Sequence, residues 1–322
     1  MNYYRPEPTV VPFSGFNAAE DGAALRQAMK GLGTDEQAII DILTKRSNNQ
    51  RQQISKWFTE EYGRDLIKDL KSELGGKFED VIIGLMSPPV EYLCQQLNKA
   101  MKGAGCDEMA LIEILCTRSN KEIKEINETY ERLYNRPLAE HVCSETKSDF
   151  RRFLTLVVTA VRNPPGHVTP EKAKEQAEAL YAAGEAKLGT NEEVFNKIMA
   201  HESYEQLRLV FDEYKNVSGR TIEQAIKDEL GGPLHDAMMA VIQCVQNPLT
   251  FYAKQLQNAM AGLGTNDTTL IRIIVSRCEI DLGNIKKEYE RLYGKTLESV
   301  VKAEASGNYE SALLGLIDGN AS

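Results

Sequence analysis

Four short loops in this chain each combine glycines with a carboxylate that follows at a constant distance along the sequence. The loops read MKGLGTDE, MKGAGCDE, EAKLGTNE and MAGLGTND and begin at residues 29, 101, 185 and 260. Glycine permits positive φ and so allows a turn to point its carbonyl oxygens outward. Calcium takes roughly six to eight oxygen ligands, often with a bidentate carboxylate among them. A glutamate lies 40 residues after the last glycine of every loop, in the pairs Gly33 and Glu73, Gly105 and Glu145, Gly189 and Glu229, and Gly264 and Glu304. The pattern predicts four calcium sites.

Other kinds of site match the same residues less well. A glycine pair can simply end a helix, but that role explains neither the distant carboxylate nor the apolar residue between the glycines. A phosphate-binding loop needs a glycine-rich turn after a strand, and the GKT at 294–296 has Tyr289 where the upstream glycine belongs. The 12-residue acidic loop of an EF-hand is absent. No CxxC pair occurs and the four histidines share no pattern, so neither a zinc site nor histidine-based catalysis is expected.

The elements that must position these loops are helices. Apolar residues recur with helical spacing and strand-like alternation is absent, so we predict an all-α fold. Glycines and prolines divide the first 90 residues or so into a tail and five short helices. Ser or Thr followed three residues later by Glu or Gln predicts helix starts of the capping-box type. These pairs are Thr34 with Gln37, Ser47 with Gln50, Ser119 with Glu122, Thr190 with Glu193, and Ser203 with Gln206.

The loop spacing also divides the chain into four repeats of about 70 to 75 residues. The segment RNPPGHVTP at 162–170 lengthens the spacing between the second and third loops and is predicted to be a linker, with two repeats on each side. The predicted boundaries are a tail at 1–16, repeat 1 at 17–88, repeat 2 at 89–160, the linker at 161–172, repeat 3 at 173–247 and repeat 4 at 248–322.

Composition and charge narrow the function classes. The net charge of −9 argues against nucleic acid as a partner, and against unaided binding to an anionic membrane. No apolar run approaches the roughly 18 residues that cross a bilayer, and the first residues lack the pattern of a secretory signal. The cysteines are expected to be reduced thiols of a cytoplasmic protein, mostly buried; they are Cys94, Cys106, Cys116, Cys143, Cys244 and Cys278.

Taken together, these features resemble the annexin family. The KGxGT-like loops carry the resemblance, with LKSELGGKFE, LIRIIVSRCEIDL and the long linker between the second and third repeats, and it covers the chain from about Asn17 onward. The resemblance implies four repeats of five helices in a right-handed superhelical arrangement, forming a curved disc with the calcium loops on its convex face. It also implies a protein that is not an enzyme, that binds acidic phospholipid membranes peripherally when calcium rises, and for which self-association on the membrane is allowed.

Carried over by position, the resemblance implies particular calcium ligands. Backbone carbonyls and one carboxylate form each site, and Thr34 with Glu36 forms a weaker secondary site. The four main sets are Met29, Gly31, Gly33 and Glu73; Met101, Gly103, Gly105 and Glu145; Gly184, Lys187, Gly189 and Glu229; and Met260, Gly262, Gly264 and Glu304. Three positions depart from the family pattern: Cys106 replaces a threonine, Ser148 replaces a glycine, and Lys187 replaces the first loop glycine. Sites 2 and 3 therefore match the family pattern less closely than sites 1 and 4, and Glu229 is expected to matter less than Glu304 because the third loop is irregular.

The apolar loop tips suggest contact with lipid. The tips are Leu32, Ala104, Leu188 and Leu263, and small apolar side chains can enter the headgroup boundary of a bilayer. In the irregular third loop, Leu188 is expected to pack against neighbouring helices until calcium binds. Calcium-dependent binding to acidic phospholipid is thus the leading hypothesis, with a role in membrane organisation or trafficking.

Two other function classes stay open at this point. The repeats could form a protein-interaction scaffold whose loops are relics. Alternatively, the chain could be a lipid-modifying hydrolase or an ion conductor. Glu113, Arg118 and Arg272 are polar residues on otherwise apolar helices that could line a channel, but buried ion pairs that orient the repeats are the favoured interpretation.

Overall fold

The computed structural model describes residues 4–103 and 105–321, and these residues form twenty helices and no strand. The all-α prediction is confirmed. Local sequence signals explain many of the helix ends. Ser47 and Gln50 form the predicted capping box at the start of the third helix, and Gly63 ends that helix in the left-handed region at φ 62°. Ser119 and Glu122 form the same box in the second repeat.

Each repeat contributes five helices. In repeat 1 they are α1 (Ala18–Ala28), α2 (Glu36–Leu43), α3 (Asn48–Tyr62), α4 (Leu66–Glu73) and α5 (Gly76–Met86). In repeat 2 they are α6 (Pro89–Met101), α7 (Glu108–Leu115), α8 (Asn120–Tyr134), α9 (Leu138–Glu145) and α10 (Ser148–Val158). In repeat 3 they are α11 (Pro170–Ala183), α12 (Glu192–His201), α13 (Tyr204–Ser218), α14 (Ile222–Glu229) and α15 (Gly232–Gln246). In repeat 4 they are α16 (Pro248–Met260), α17 (Asp267–Arg277), α18 (Leu282–Tyr293), α19 (Leu297–Glu304) and α20 (Gly307–Asp318).

The repeats pack into two compact units whose membership does not follow chain order. One unit spans Leu93–Phe251 and the other comprises the residues up to Tyr92 and from Tyr252 onward. In the first unit, α10 of repeat 2 packs against α12 and α15 of repeat 3. In the second, α5 of repeat 1 packs against α17 and α20 of repeat 4. The linker therefore lies within a unit, although the sequence placed two repeats on each side of it.

Several predicted details of the helix starts differ from the structure. Asp35 and Asn191, and not Thr34 and Thr190, are the N-cap residues of α2 and α12. The capping boxes predicted at those two threonines are therefore wrong. In addition, α11 begins at Pro170, before the predicted end of the linker at residue 172, because proline is favoured at the first position of a helix.

Ser203 does cap α13, but Gln206 makes no reciprocal bond to it. The side chain of Gln206 bonds the backbone of Thr169 in the linker instead, accepting from its N–H at 2.9 Å and donating to its carbonyl at 3.1 Å. Across the described part of the chain, no helix has the length and apolarity that a bilayer-spanning segment needs.

Candidate metal centres

The four predicted carboxylates occupy one structural position. Four helices of eight residues, α4, α9, α14 and α19, end at Glu73, Glu145, Glu229 and Glu304 respectively. The C-terminus of a helix carries a partial negative charge, so a carboxylate there is electrostatically unfavourable without a cation nearby. The same arrangement recurs in all four repeats.

The loop that faces each carboxylate connects the first and second helices of its repeat. Its glycines take positive φ, a region that L-residues rarely adopt. The values are 109° at Gly31, 92° at Gly33, 113° at Gly103, 114° at Gly105, 82° at Gly189, 106° at Gly262 and 91° at Gly264. Loops 1, 2 and 4 close through a backbone hydrogen bond that spans seven residues, such as Asp35 N–H to the Ala28 carbonyl at 2.9 Å.

A threonine hydroxyl joins the loop to the carboxylate in three of the repeats. Thr34 Oγ1 donates to Glu73 Oε2 at 2.7 Å, and Thr265 Oγ1 donates to Glu304 Oε2 at 2.8 Å. In repeat 3, Thr190 Oγ1 donates to Glu229 Oε2 at 2.6 Å. These bonds replace the helix caps that the sequence suggested for Thr34 and Thr190. They bring each predicted carboxylate to its own loop across 39 residues of chain.

In repeat 2 the loop and its carboxylate also meet, although no threonine joins them. Met101, Gly103 and Glu145 line one cleft of about 460 Å³. Cys106 takes the place of the threonine, and burial, with the nearby charges of Glu108, Asp107 and Glu145, raises the pKa of its thiol to about 11. The thiol therefore stays protonated at neutral pH.

The carboxylate of repeat 2 finds its hydrogen bond on its own helix. The hydroxyl of the preceding residue, Ser144, lies 3.3 Å from Glu145 Oε1 and shares its single proton between that oxygen and the His141 carbonyl, which is closer at 2.8 Å. Arg136 donates to the oxygen of Ser144 at 3.0 Å. These contacts do not involve the loop.

Repeat 3 has a loop that is one residue longer than the others. The closing bond runs from Asn191 N–H to the Ala183 carbonyl at 2.7 Å and spans eight residues. The Gly184 carbonyl already accepts from Lys187 N–H at 3.1 Å, and Lys187 does not adopt the positive φ of the glycine at that place in the other loops. Glu229 nevertheless packs on the loop, since a Cβ on Gly184 would lie 3.2 Å from Glu229 Cγ.

Two further clefts bring carboxylates of different repeats together, which the sequence did not predict. Glu36, Glu73 and Glu304 line a cleft of about 390 Å³ between repeats 1 and 4. Glu145 and Glu229 line a cleft of about 520 Å³ between repeats 2 and 3. Glu36, predicted to belong to a secondary site, therefore lies near the carboxylates of both sites of its unit.

Leucine tips project into solvent from three loops. Leu32, Leu188 and Leu263 have relative exposures of 109%, 105% and 110%. The expectation that Leu188 packs against neighbouring helices is wrong, because its side chain is as exposed as the tips of the regular loops. The fourth tip, Ala104, lies outside the described residues.

The chemistry of the donor set fits a hard cation. Within residues 4–103 and 105–321, no group of three or more His, Cys, Asp or Glu side chains could hold a metal ion. The ligands predicted from the sequence for these loops are backbone carbonyls, together with one carboxylate. Oxygen donors of this kind suit calcium rather than the softer transition metals.

The polar side chains considered above for a hydrolase or an ion conductor are buried. Glu113 and Arg272 are buried, with 3% and 1% of their surface exposed. The Arg118 side chain is also buried and lies 3.9 Å from the Glu122 carboxylate. Four of the six cysteines are buried, while Cys106 is partly exposed and Cys143 is exposed.

Comparison with known proteins agrees with this architecture. The family model described as Annexin matches four segments of the chain, at residues 20–85, 92–157, 175–241 and 251–316. Annexin B10 of Drosophila melanogaster is 60% identical over 318 residues, which cover 98% of each chain. The solved structure of annexin III superposes with a TM-score of 0.94 at 42% identity, covering 97% of each chain. Calcium-bound annexin (Sm)1 superposes with a TM-score of 0.84 at 32% identity, covering 98% of this chain and 93% of the other.

The chain belongs to the annexin family. Calcium-dependent phospholipid binding is a general property of this family, and its members are generally not enzymes. The resemblance inferred from the loops is thereby confirmed, as is the fold class of four repeats.

Proposed function

We propose that this protein attaches peripherally to acidic phospholipid membranes when calcium rises, through the four loop-and-carboxylate sets. The observation that carries the proposal is that every predicted glutamate ends a short helix and lies against its own glycine loop. The proposed ligands are the four sets of backbone carbonyls and one carboxylate that begin at Met29, Met101, Gly184 and Met260 and end at Glu73, Glu145, Glu229 and Glu304. Thr34 and Glu36 would form the secondary site beside the first set.

Each site has only one charged ligand, which explains why lipid oxygens would complete the coordination shell of the calcium ion. A single glutamate per loop is a weak calcium site by itself, because affinity follows the number of charged ligands. Bound calcium supplies a double positive charge with coordination positions open to phosphate oxygens. The protein contributes the loop carbonyls that the glycines turn outward and the carboxylate that the helix end places beside them.

The leucine tips contribute a smaller apolar term. A side chain that is fully exposed in water can gain roughly 25 cal/mol for each Å² that it buries at the headgroup boundary. Charge acts in the same direction, because four calcium ions would nearly cancel the net charge of −9 and remove the repulsion from an anionic surface. Several weak sites on one chain then act together through their high effective concentration.

The test is cosedimentation of the purified chain with phosphatidylserine vesicles. We expect binding with calcium, release with chelator, and little binding to phosphatidylcholine vesicles. A matched control carries Glu73→Gln, Glu145→Gln, Glu229→Gln and Glu304→Gln together, and it should stay in the supernatant at the calcium concentration that pellets the unmodified chain. Attachment that survives chelation would contradict the proposal.

A further inference from the structure

The loop threonines make contacts that a calcium ligand set does not itself require. In repeats 1, 3 and 4 a threonine directly follows the last loop glycine, and its hydroxyl donates to Oε2 of the glutamate at 2.6–2.8 Å. The three bonds have the same donor atom, the same acceptor atom and the same separation of 39 residues. They connect the loop between the first two helices of a repeat with the end of the fourth helix.

We propose that these hydroxyls are positioning groups that fix the glutamate against the loop in advance of cation binding, and that Cys106 leaves repeat 2 without this function. The inference rests on the proposed function and concerns what determines the relative calcium affinity of the four sites. Thr34, Thr190 and Thr265 would raise that affinity by holding the glutamate, without binding the cation at the main site themselves.

The physical reason is the freedom of an exposed glutamate. Glu73 and Glu304 are exposed at the ends of their helices, and a glutamate side chain loses considerable rotamer entropy when a ligand fixes it. A hydroxyl bond that already holds the side chain at the loop removes part of that loss before binding. A carboxylate offers about four lone-pair positions, so one hydroxyl on Oε2 leaves both oxygens able to contact a cation.

Repeat 2 is the natural comparison. A thiol is a weak donor, and within the described residues Cys106 makes no hydrogen bond to Glu145. The neighbouring Ser144 hydroxyl lies 3.3 Å from Glu145 Oε1, but it belongs to the same helix and has a shorter acceptor in the His141 carbonyl at 2.8 Å, so it does not tie the carboxylate to the loop. The loop glycines of repeat 2 have positive φ like those of repeats 1 and 4, so repeat 2 keeps the loop conformation but lacks the hydroxyl.

The test reads one site at a time in the full chain. The reporter variant carries Trp57→Phe, which removes the single natural tryptophan, and Leu263→Trp, which places an energy donor at the tip of loop 4. Sensitised emission of Tb³⁺ then reports binding at repeat 4, and Ca²⁺ is titrated as the competitor. Adding Thr265→Val should raise the Tb³⁺ and Ca²⁺ concentrations at half-saturation about three- to tenfold, the scale of one net hydrogen bond. Thr265→Ser should restore both values.

The reciprocal gain is tested in repeat 2. A second reporter carries Trp57→Phe and Ala104→Trp, and Cys106→Thr in this chain should lower the half-saturating concentration by a similar factor. Cys106→Val is the matched control, because it removes the thiol without supplying a hydroxyl, and should give no gain.

The outcomes separate the two proposals. If the reporter chains show no Tb³⁺ emission that Ca²⁺ displaces, the proposed sites themselves are wrong and this inference falls with them. If the reporters bind but Thr265→Val leaves half-saturation unchanged, only the positioning role is overturned. The same holds if Thr265→Val lowers the thermal midpoint of the metal-free protein in step with affinity and Thr265→Ser fails to rescue, because the threonine would then act on stability alone.

Discussion

Glu229 and Glu304 are equivalent in sequence spacing but sit beside different loops. Glu304 faces a loop with both glycines at positive φ. Glu229 faces a longer loop, in which Lys187 lacks that conformation and the Gly184 carbonyl already accepts a backbone hydrogen bond. Fewer carbonyls are therefore free to face a cation in repeat 3.

Neutralising the two carboxylates should accordingly have unequal effects. Glu304→Gln removes the charged ligand of a regular loop, and we expect the calcium concentration for half-maximal vesicle binding to rise roughly tenfold or more, as for the loss of one charge-assisted contact. Glu229→Gln should produce a clearly smaller shift. Vesicle cosedimentation across a calcium titration measures both, and equal shifts would show that the irregular third loop does not weaken its site.

Ser148 is a second residue whose backbone conformation conflicts with its type. Its φ is 53°, whereas Gly76, Gly232 and Gly307 hold the corresponding place in the other repeats at 59–61°. In this region of φ, a residue with a Cβ destabilises the folded state by about 1–2 kcal/mol. Glycine avoids this steric cost but loses more backbone entropy on folding, which offsets part of the gain.

We therefore expect Ser148→Gly to stabilise the protein by about 0.5–1 kcal/mol, measured as a rise in the urea midpoint of unfolding. Asn135→Gly is the matched comparison, since Asn135 also has positive φ, at 51°. It should give a smaller gain, because asparagine tolerates the left-handed region better than serine. A loss of stability in Ser148→Gly would mean that the serine side chain makes a compensating contact.

At the scale of elements, the third loop presents its tip without any rearrangement. Leu188 is fully exposed, so calcium alone has no buried leucine to release. Contact with lipid would be the first event that changes its surroundings.

Leu188→Trp in a Trp57→Phe background tests this directly. Tryptophan emission should stay red-shifted with calcium alone and shift to the blue only with calcium and phosphatidylserine vesicles together. Leu263→Trp in the same background is the comparison at a regular loop and should shift at a lower calcium concentration. Emission at position 188 that vesicles leave unchanged would show that this tip stays out of the bilayer.

The buried carboxylate of Glu202 connects the linker to helix α11. Glu202 has 7% of its surface exposed and accepts hydrogen bonds from Lys172 at 2.7 Å, Gln176 at 2.8 Å and Asn163 at 3.1 Å. Burial acts to raise the pKa of Glu202, but these hydrogen bonds outweigh burial and lower the pKa below the ordinary value of 4.5. The charged form of Glu202 therefore joins the linker residue Asn163 to helix α11.

A carboxyl pKa that is lower in the folded state than in the unfolded state makes the protein lose stability on acidification. The contribution of Glu202 is fully present above the unfolded-state pKa, near 4.5, and is lost as pH falls through the folded-state value. Glu202→Gln should cost about 1–3 kcal/mol at neutral pH and should flatten the loss of stability on acidification. Urea unfolding at a series of pH values measures both effects, with Glu178→Gln on the exposed face of α11 as control. An unchanged acid slope would show that Glu202 does not contribute to it.

At the scale of the whole molecule, attachment should depend on the number of working sites more steeply than on the strength of any one. Glu73 and Glu304 line the same cleft, and the net charge of −9 opposes attachment whenever few calcium ions are bound. Each lost site removes an anchor and leaves more of that repulsion in place.

The double variant Glu73→Gln with Glu304→Gln should therefore shift half-maximal vesicle binding by more than either single variant, and by a factor at least as large as the product of the two single shifts. The titration should also become less steep. A double shift no larger than the bigger single shift would indicate that one of the two sites does not take part in attachment.

The sequence by itself determined the helical fold class, the four repeats and the pairing of each loop with a glutamate 40 residues later. These features depend on local periodicity and on spacing. Because the same pattern occurs four times, a coincidence in one segment does not explain it. Gly31 and Gly33 needed only their residue type to suggest positive φ. The family resemblance followed from the same motifs.

Only the tertiary structure decided which distant groups meet. Thr34 had two competing partners, the N-terminus of α2 and the carboxylate of Glu73, and the choice depends on where α4 ends in space. The grouping of repeat 2 with repeat 3 likewise depends on which apolar faces of α10, α12 and α15 fit together, and the linker between those repeats lies within their unit. In each case a contact between segments far apart in sequence competed with a local one, and local patterns do not contain the energy of that contact.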